Sequence, residues 1–343
     1  MTRSPASDAF PRNPTVEDVE FLYSQLAQKS GKSNKIKGGK ISKNLEVPGD
    51  SLWSHAQGLG RFSDFFFMTH SREDQQRGRI VIIDRKKAKV LNEIRTPHKG
   101  LNHAGGIQIV ADSYAFVPLN GSNGCAIVAY DLSPVYSKKT ADPKPITLNV
   151  DFKKTSAGSV GITHLPDGDG GYFYVMAVGR AKTINIYKSN SVPFTSSQCV
   201  FDWVFQHEFT DQSFEAINLF TQQDGRIFMI GMQSEQVSIG GFEIGAKDDY
   251  MKIFEIDIEQ KSLSNLGRTH DVRIRHTKGM AANTKALKMI PGIGTVANGL
   301  AKGIAAHFRY ASSVRVRSNG AFEVCVGQRN FDPGGDYFYN WIR

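Results

Sequence analysis

Five short segments of the chain begin with residues that could do chemistry together. His55-Ala-Gln-Gly-Leu59, His103-Ala-Gly-Gly-Ile107, Gly158-Ser-Val-Gly-Ile162, Glu215-Ala-Ile-Asn-Leu219 and Tyr310-Ala-Ser-Ser-Val314 look alike, and their starts lie 48, 55, 57 and 95 residues apart. If equivalent elements carry these starts around one axis, two imidazoles, a carboxylate and a phenol converge. His55, His103 and Glu215 would form a His2Glu set, the ligand pattern of a catalytic divalent metal such as zinc with an open position for water. Without a metal, the two histidines and Glu215 can serve as acid and base near neutral pH, with Tyr310 as a proton or hydrogen-bond donor. Gly158 would leave one side of the ring open for a ligand.

The elements that must position these residues are legible as strands. Each segment precedes a β-prone run: 64–70, 114–119, 172–178, 226–232 and 322–326. A third run follows a turn at 79–84, 126–132, 183–187, 251–257 and 337–342, and a fourth stands at 89–95, 146–152, 201–209 and 262–266. Four short strands per unit, separated by Gly, Asn, Asp and Ser turns, is the pattern of propeller blades. The fifth unit ends after its third strand, while a strand-like piece, 40–47, stands unclaimed before the first. A terminus that supplies the missing outer strand closes such a ring and removes an exposed edge.

The predicted fold is therefore an all-β, five-bladed β-propeller over 40–343, closed by the N-terminal strand. It carries a short N-terminal helical arm with a basic linker over 1–39 and a helical insertion over about 268–309, between blades four and five. A β-sandwich also fits short, evenly spaced strands, but it does not account for five similar segments or the leftover strand. The resemblance is to the fold alone. The arabinanase-like glycosidases, also five-bladed, set acidic residues around the channel where this chain has His, His, Gly, Glu and Tyr. The tachylectin-like lectins repeat near-identical blades, and these blades diverge.

In a propeller the first strand of each blade lines the central channel, which puts the five starts at one mouth. The turns joining second to third strands should share that face. They contain His70–Glu73, Asn120–Asn123, Arg180–Lys182, Gln233–Glu235 and Arg329–Asp332, and among them Arg72, Asn120, Arg180 and Arg329 could address an anionic or hydroxylated ligand. The alternative for the ring is a plug, polar residues that satisfy one another and water in the channel.

Two segments stand outside the repeat. After Pro14, the spacing of Val16, Val19, Leu22 and Leu26 predicts a short amphipathic helix, followed by Lys29, Lys32, Lys35, Lys37, Lys40 and Lys43 with no acid among them. Residues 268–309 carry eight basic residues against Asp271 and an apolar, small-residue middle broken by Pro291, Gly292 and Gly294. A helix over about 295–308 is expected there, with Val296, Leu300 and Ile304 on one face. It could cap the mouth as a lid, lie on an anionic membrane surface, or pack against a protein partner. The formal charge of +9 belongs to these two appendages, which contribute +6 and +7, so the remainder of the chain is mildly acidic.

Composition and motifs narrow the functional classes. Three widely separated cysteines, Cys125, Cys199 and Cys325, make neither a disulfide framework nor a Cys-based zinc site. With an N-terminus unlike a signal peptide, they make a reducing, cytoplasmic location the expectation, and export by another route stays open. There is no Walker loop, dinucleotide fingerprint or Gly-x-Ser-x-Gly elbow, and no aromatic-basic motif points to nucleic acid. The expected function is binding of a small polar or anionic ligand at the channel mouth, with hydrolase or lyase chemistry by a metal or by His and Glu acid-base groups. The alternative is a non-catalytic platform whose basic arm and insertion engage a membrane or protein partner.

Overall fold

The computed structural model describes residues 10–28, 54–72, 76–87, 89–138, 141–153, 156–239, 242–272, 311–317, 320–328 and 337–342. They form an all-β, propeller-like arrangement of sheets. In chain order the elements are α1 (Val19–Gln28), β1 (Ser54–Phe62), β2 (Phe65–Arg72), β3 (Arg79–Asp84), β4 (Lys89–Arg95), β5 (His103–Ala104), β6 (Gln108–Val110), β7 (Tyr114–Gly121) and β8 (Gly124–Asp131). There follow α2 (Ser133–Ser137), β9 (Lys144–Thr147), β10 (Asn149–Val150), β11 (Ser159–Pro166), β12 (Tyr172–Arg180), β13 (Thr183–Ser189) and β14 (Val200–Glu208). The last are β15 (Ala216–Thr221), β16 (Ile227–Ile239), β17 (Phe242–Asp257), β18 (Ser262–Val272), β19 (Ser312–Val316), β20 (Phe322–Gln328) and β21 (Tyr337–Ile342).

These strands make four sheets. One runs β5-β7-β8-β9 with β6 also on β7; a second runs β10-β14-β13-β12-β11; a third is β15-β16-β17-β18. The largest has seven strands, β21-β20-β19-β1-β2-β3-β4. Within it, two antiparallel runs meet where β1 and β19 lie parallel, Gly58 opposite Ser312.

The strands read as near-continuous apolar runs because both faces are buried. In β2, Phe65 and Phe67 pack with Ile80 and Ile82 against Leu119 and Val128. The alternate residues Phe66 and Met68 pack with Val81 and Ile83 against Ala311 and Cys325. In β12, Tyr174, Met176 and Val178 join Phe116 and Ile127, while Val175 and Ala177 join Ile217 and Met229. Among the described residues, five apolar clusters succeed one another in this way from one group of strands to the next.

The N-terminal helix begins later than its hydrophobic spacing suggests. Val16 lies before it and pairs with Gln222 in a parallel bridge; Asp18 Oδ1 then accepts the Phe21 N–H at 2.8 Å and caps α1. Val19, Tyr23 and Leu26 are buried with Phe228, Ile230, Met251 and Val324, and the Tyr23 hydroxyl donates to the Met251 carbonyl at 2.5 Å. This half of the arm is part of the core. The strand expected at 40–47, the lysine run 29–43 and the helix expected at 295–308 lie outside the described residues. Among the described residues no helix is long and apolar enough to cross a membrane.

One expected turn is a strand. Residues 233–235 lie inside β16, which pairs with β17 as far as Ile239 opposite Phe242. The β-prone residues beyond Glu235 carry the strand onward. Since Met232 pairs with Ala216 at the start of β15, the hairpin rises about 23 Å past the mouth end of that strand at about 3.3 Å per residue.

Candidate functional site at the channel mouth

The channel is closed half-way along by two amide side chains that were not among the expected site residues. Gln108 is buried in β6; its Nε2 donates to the Leu219 carbonyl at 2.9 Å, and its Oε1 accepts the N–H groups of Ile162 at 2.8 Å and Leu219 at 2.9 Å. Asn218, in β15, donates from Nδ2 to the Ile107 carbonyl at 3.1 Å and accepts the Val314 N–H at 2.8 Å. Inner strands from four groups are thereby stitched across the axis. Their backbones approach closely: a Cβ on Gly105 would sit 1.8 Å from the Gly158 carbonyl oxygen, and one on Gly106 2.4 Å from that of Glu215. The available sequence signal was an amide inside an apolar run, Ile107-Gln108-Ile109 and Ile217-Asn218-Leu219.

At the mouth, the segment starts occupy corresponding positions in the register. His55 lies opposite Ser71 and His103 opposite Asn120; the Gly158 N–H donates to the Gly179 carbonyl at 2.8 Å, and that of Glu215 to the Met232 carbonyl at 2.8 Å. Each stands at the beginning of an inner strand, set against the end of its neighbour in the first three and against the middle of the long β16 at Glu215, which places the described starts at one end of the channel. The side chains of His55 and Arg72 lie outside the description, as do Tyr310 and Arg329 entirely. Glu215 is half-buried on the rim.

The mouth between the first and second of these sheets holds polar atoms that no other described residue uses. His103 Nδ1, Asn120 Oδ1 and Ser159 Oγ are buried and have no hydrogen-bond partner among the described residues. Gln233 Oε1, one residue past Met232 on β16, is in the same condition. Arg180, at the end of β12, is exposed and makes no ion pair among the described residues. Burial, and secondarily the Arg180 guanidinium, hold the His103 imidazole down to about 4, so it is neutral at physiological pH. A neutral imidazole can accept a proton or a hydrogen bond. Cys125, opposite Asn120, is pushed up by burial to about 11 and stays a thiol, which removes it as a nucleophile.

Among the described residues no three His, Cys, Asp or Glu side chains stand together as a metal site. The His55, His103 and Glu215 set is not judged by this, because the His55 side chain is not described.

The opposite end of the channel is finished differently. Glu323 is fully buried and receives Arg61 at 2.5 Å and Arg315 at 2.7 and 2.8 Å; Arg315 also pairs with Asp112 in the turn between β6 and β7. Residues 10–13 cross this end. Phe10 stacks on Tyr174 with ring centroids 5.2 Å apart, Arg12 lies 4.1 Å over the Tyr172 ring, and Asn13 Oδ1 accepts the Ala111 N–H at 3.0 Å.

Neither a family model nor a curated protein matches the sequence. Solved structures do show a distant likeness. A GH43 glycoside hydrolase engineered for endo-xylanase and exo-arabinofuranosidase activity is 11% identical, with a TM-score of 0.44 over 88% of this chain and 52% of its own. The endo-arabinase from Bacteroides thetaiotaomicron is 8% identical, with a TM-score of 0.38 over 88% of this chain and 94% of its own. The polysaccharide lyase Uly1 is 9% identical, with a TM-score of 0.33 over 98% of each. The chain spans between half and two-thirds of the length of several such proteins. At TM-scores below 0.5 these likenesses carry no argument about activity.

Proposed function

We propose that this chain is a five-bladed propeller that binds a small polar ligand at one channel mouth, where His103 is the acid-base group. Five blades are supported by the succession of five apolar clusters and by the parallel β1–β19 contact, which divides the seven-stranded sheet into two antiparallel runs. The observation that carries the binding reading is the set of unpartnered buried atoms on His103, Asn120 and Ser159 beside the uncommitted Arg180. Buried polar atoms are satisfied in most proteins, and in this channel Gln108 and Asn218 are. Groups left open at a concave rim are groups kept for a ligand.

Held near 4, the neutral imidazole is a weak base until a bound anion raises it, and with that shift it can take a proton in hydrolysis or elimination. Glu215, His55 and Tyr310 are proposed as its acid-base partners, with Asn120, Arg180, Arg72 and Arg329 as binding residues. The positive charge of Arg180 beside His103 opposes a divalent metal there, so ligand binding without a metal is the favoured form. The test is a sugar and organic-acid panel followed by His103 ring NMR in the full chain, with metal content measured on the same sample. Shifts confined to His103 and its neighbours, lost in Asn120→Ala, support the reading. Binding that leaves the His103 ring unmoved, or stoichiometric metal that disappears in His103→Ala, would sink the metal-free mouth site.

A further inference from the structure

Resting on the proposed mouth site, we infer that its ligand is a hydroxylated carboxylic acid of the sugar-acid class, with its carboxylate on Arg180 and a neighbouring hydroxyl shared by Asn120 and His103. Each group makes a separate demand. Arg180 offers a planar fork of donors that matches a carboxylate, and no ion pair among the described residues consumes it. Its neighbour in the β12–β13 turn, Lys182, is turned away to the Thr210 carbonyl.

Asn120 Oδ1 only accepts, so an anion without an O–H, such as acetate, cannot satisfy it; it needs an O–H or N–H from the ligand. The neutral His103 ring has one donor and one acceptor, and a hydroxyl, which is both, complements it. His103 and Asn120 face each other in the β5–β7 register, where opposed residues stand about 4.5–5.5 Å apart at Cβ, so one hydroxyl or two vicinal ones reach both. Cys125 is the next partner of Asn120 across β7–β8, and the Arg180 charge acts on both Cys125 and His103. A Cβ on Gly158 would stand 3.7 Å from the Arg180 Cα and one on Gly105 1.8 Å from the Gly158 carbonyl oxygen, so the start of the Arg180 turn lies beside the strand of His103. A ligand with an acid next to hydroxyls meets all three demands. A cationic ligand or a simple neutral alcohol does not.

The experiment is calorimetric titration of the full chain with galacturonate, galactose, acetate and inorganic phosphate, with His103 ring NMR read in parallel. Galacturonate should bind at least about tenfold more tightly than galactose or acetate, the size expected for one charge-assisted contact. Arg180→Ala should bring galacturonate down to the level of galactose, and Asn120→Ala down to that of acetate, with thermal unfolding showing both variants folded. Equal binding of galactose and galacturonate, unchanged in Arg180→Ala, overturns the acid assignment while His103 shifts keep the mouth reading intact. Phosphate binding more tightly than galacturonate overturns the carboxylate assignment. No binding of galacturonate overturns it as well. If, in addition, no probe in the wider panel moves His103, the mouth reading falls with it.

Discussion

The two ends of the channel are built from the same inner strands and finished in opposite ways. At the far end the charged groups are matched: Glu323 lies between Arg61 and Arg315 and Asp112 pairs with Arg315, while residues 10–13 cross this end and His164 Nδ1 stays buried with no partner among the described residues. At the mouth, His103 Nδ1, Asn120 Oδ1 and Ser159 Oγ are buried with no partner among the described residues, and Arg180 stands without a carboxylate. Inner strands present polar groups at both ends whatever their sequence, so both ends face the same desolvation cost. The far end offsets it internally and contributes stability. The mouth leaves it open among the described residues, which is the ground of the proposed ligand site.

Four measurements would sharpen or break this contrast. The largest effect is expected from Glu323→Ala, which strands two arginines in a buried setting; a loss of about 3–5 kcal/mol in denaturant unfolding is the expected outcome. A loss under about 1 kcal/mol would show that the far end is not the stabilising one.

Acid comes next. His164, at the far end beside Tyr172, is held to about 4 by burial first and Arg12 second, from an ordinary 6.5. Below 6.5 the unfolded chain binds a proton at this position and the folded chain does not, so stability falls as pH drops from about 6.5 to about 4 and this contribution is flat below that. The whole effect is worth up to about 3 kcal/mol at this site. His103 adds a slope of the same sign. Thermal unfolding against pH should show the slope shallower in His164→Gln, and an unchanged slope would remove His164 from the account.

Gln108→Leu should cost about 2 kcal/mol, because it leaves the N–H groups of Ile162 and Leu219 buried without an acceptor. The smallest effect belongs to the mouth. His103→Ala and Asn120→Ala should change stability by no more than about 0.5 kcal/mol, since His103 Nδ1 and Asn120 Oδ1 hold no partner among the described residues, while ligand binding is lost. A destabilisation of Asn120→Ala as large as that of Gln108→Leu would mean that the mouth is a structural plug like the middle of the channel.

The strands were legible because their signals are local. The run 79–84 and the run 337–342 coincide with β3 and β21, and their bounding turn residues stand beside them in the chain. The turn expected at 233–235 is strand: Gln233-Ser-Glu looks like a turn, while the β-prone residues that carry β16 onward lie beyond it. The candidate site was partly legible. The recurrence of segment starts pointed to His103 and the turn positions to Asn120 and Arg180. Which of these groups lacks a partner depends on neighbours 17 and 77 residues away in the chain.

The amino-acid sequence alone determined the period of the repeat, the strand character of its units and the residues at their starts, since strand propensity and turn chemistry act over a few residues. The tertiary structure alone decided that Gln108 and Asn218 close the channel, that the arm helix is core, and that Glu323 is held between two arginines at one end while His103 Nδ1 and Asn120 Oδ1 at the other have no partner among the described residues. Hydrogen-bond satisfaction is a property of groups brought together across the fold. A histidine that keeps a free nitrogen and one that spends it are the same letter in the chain.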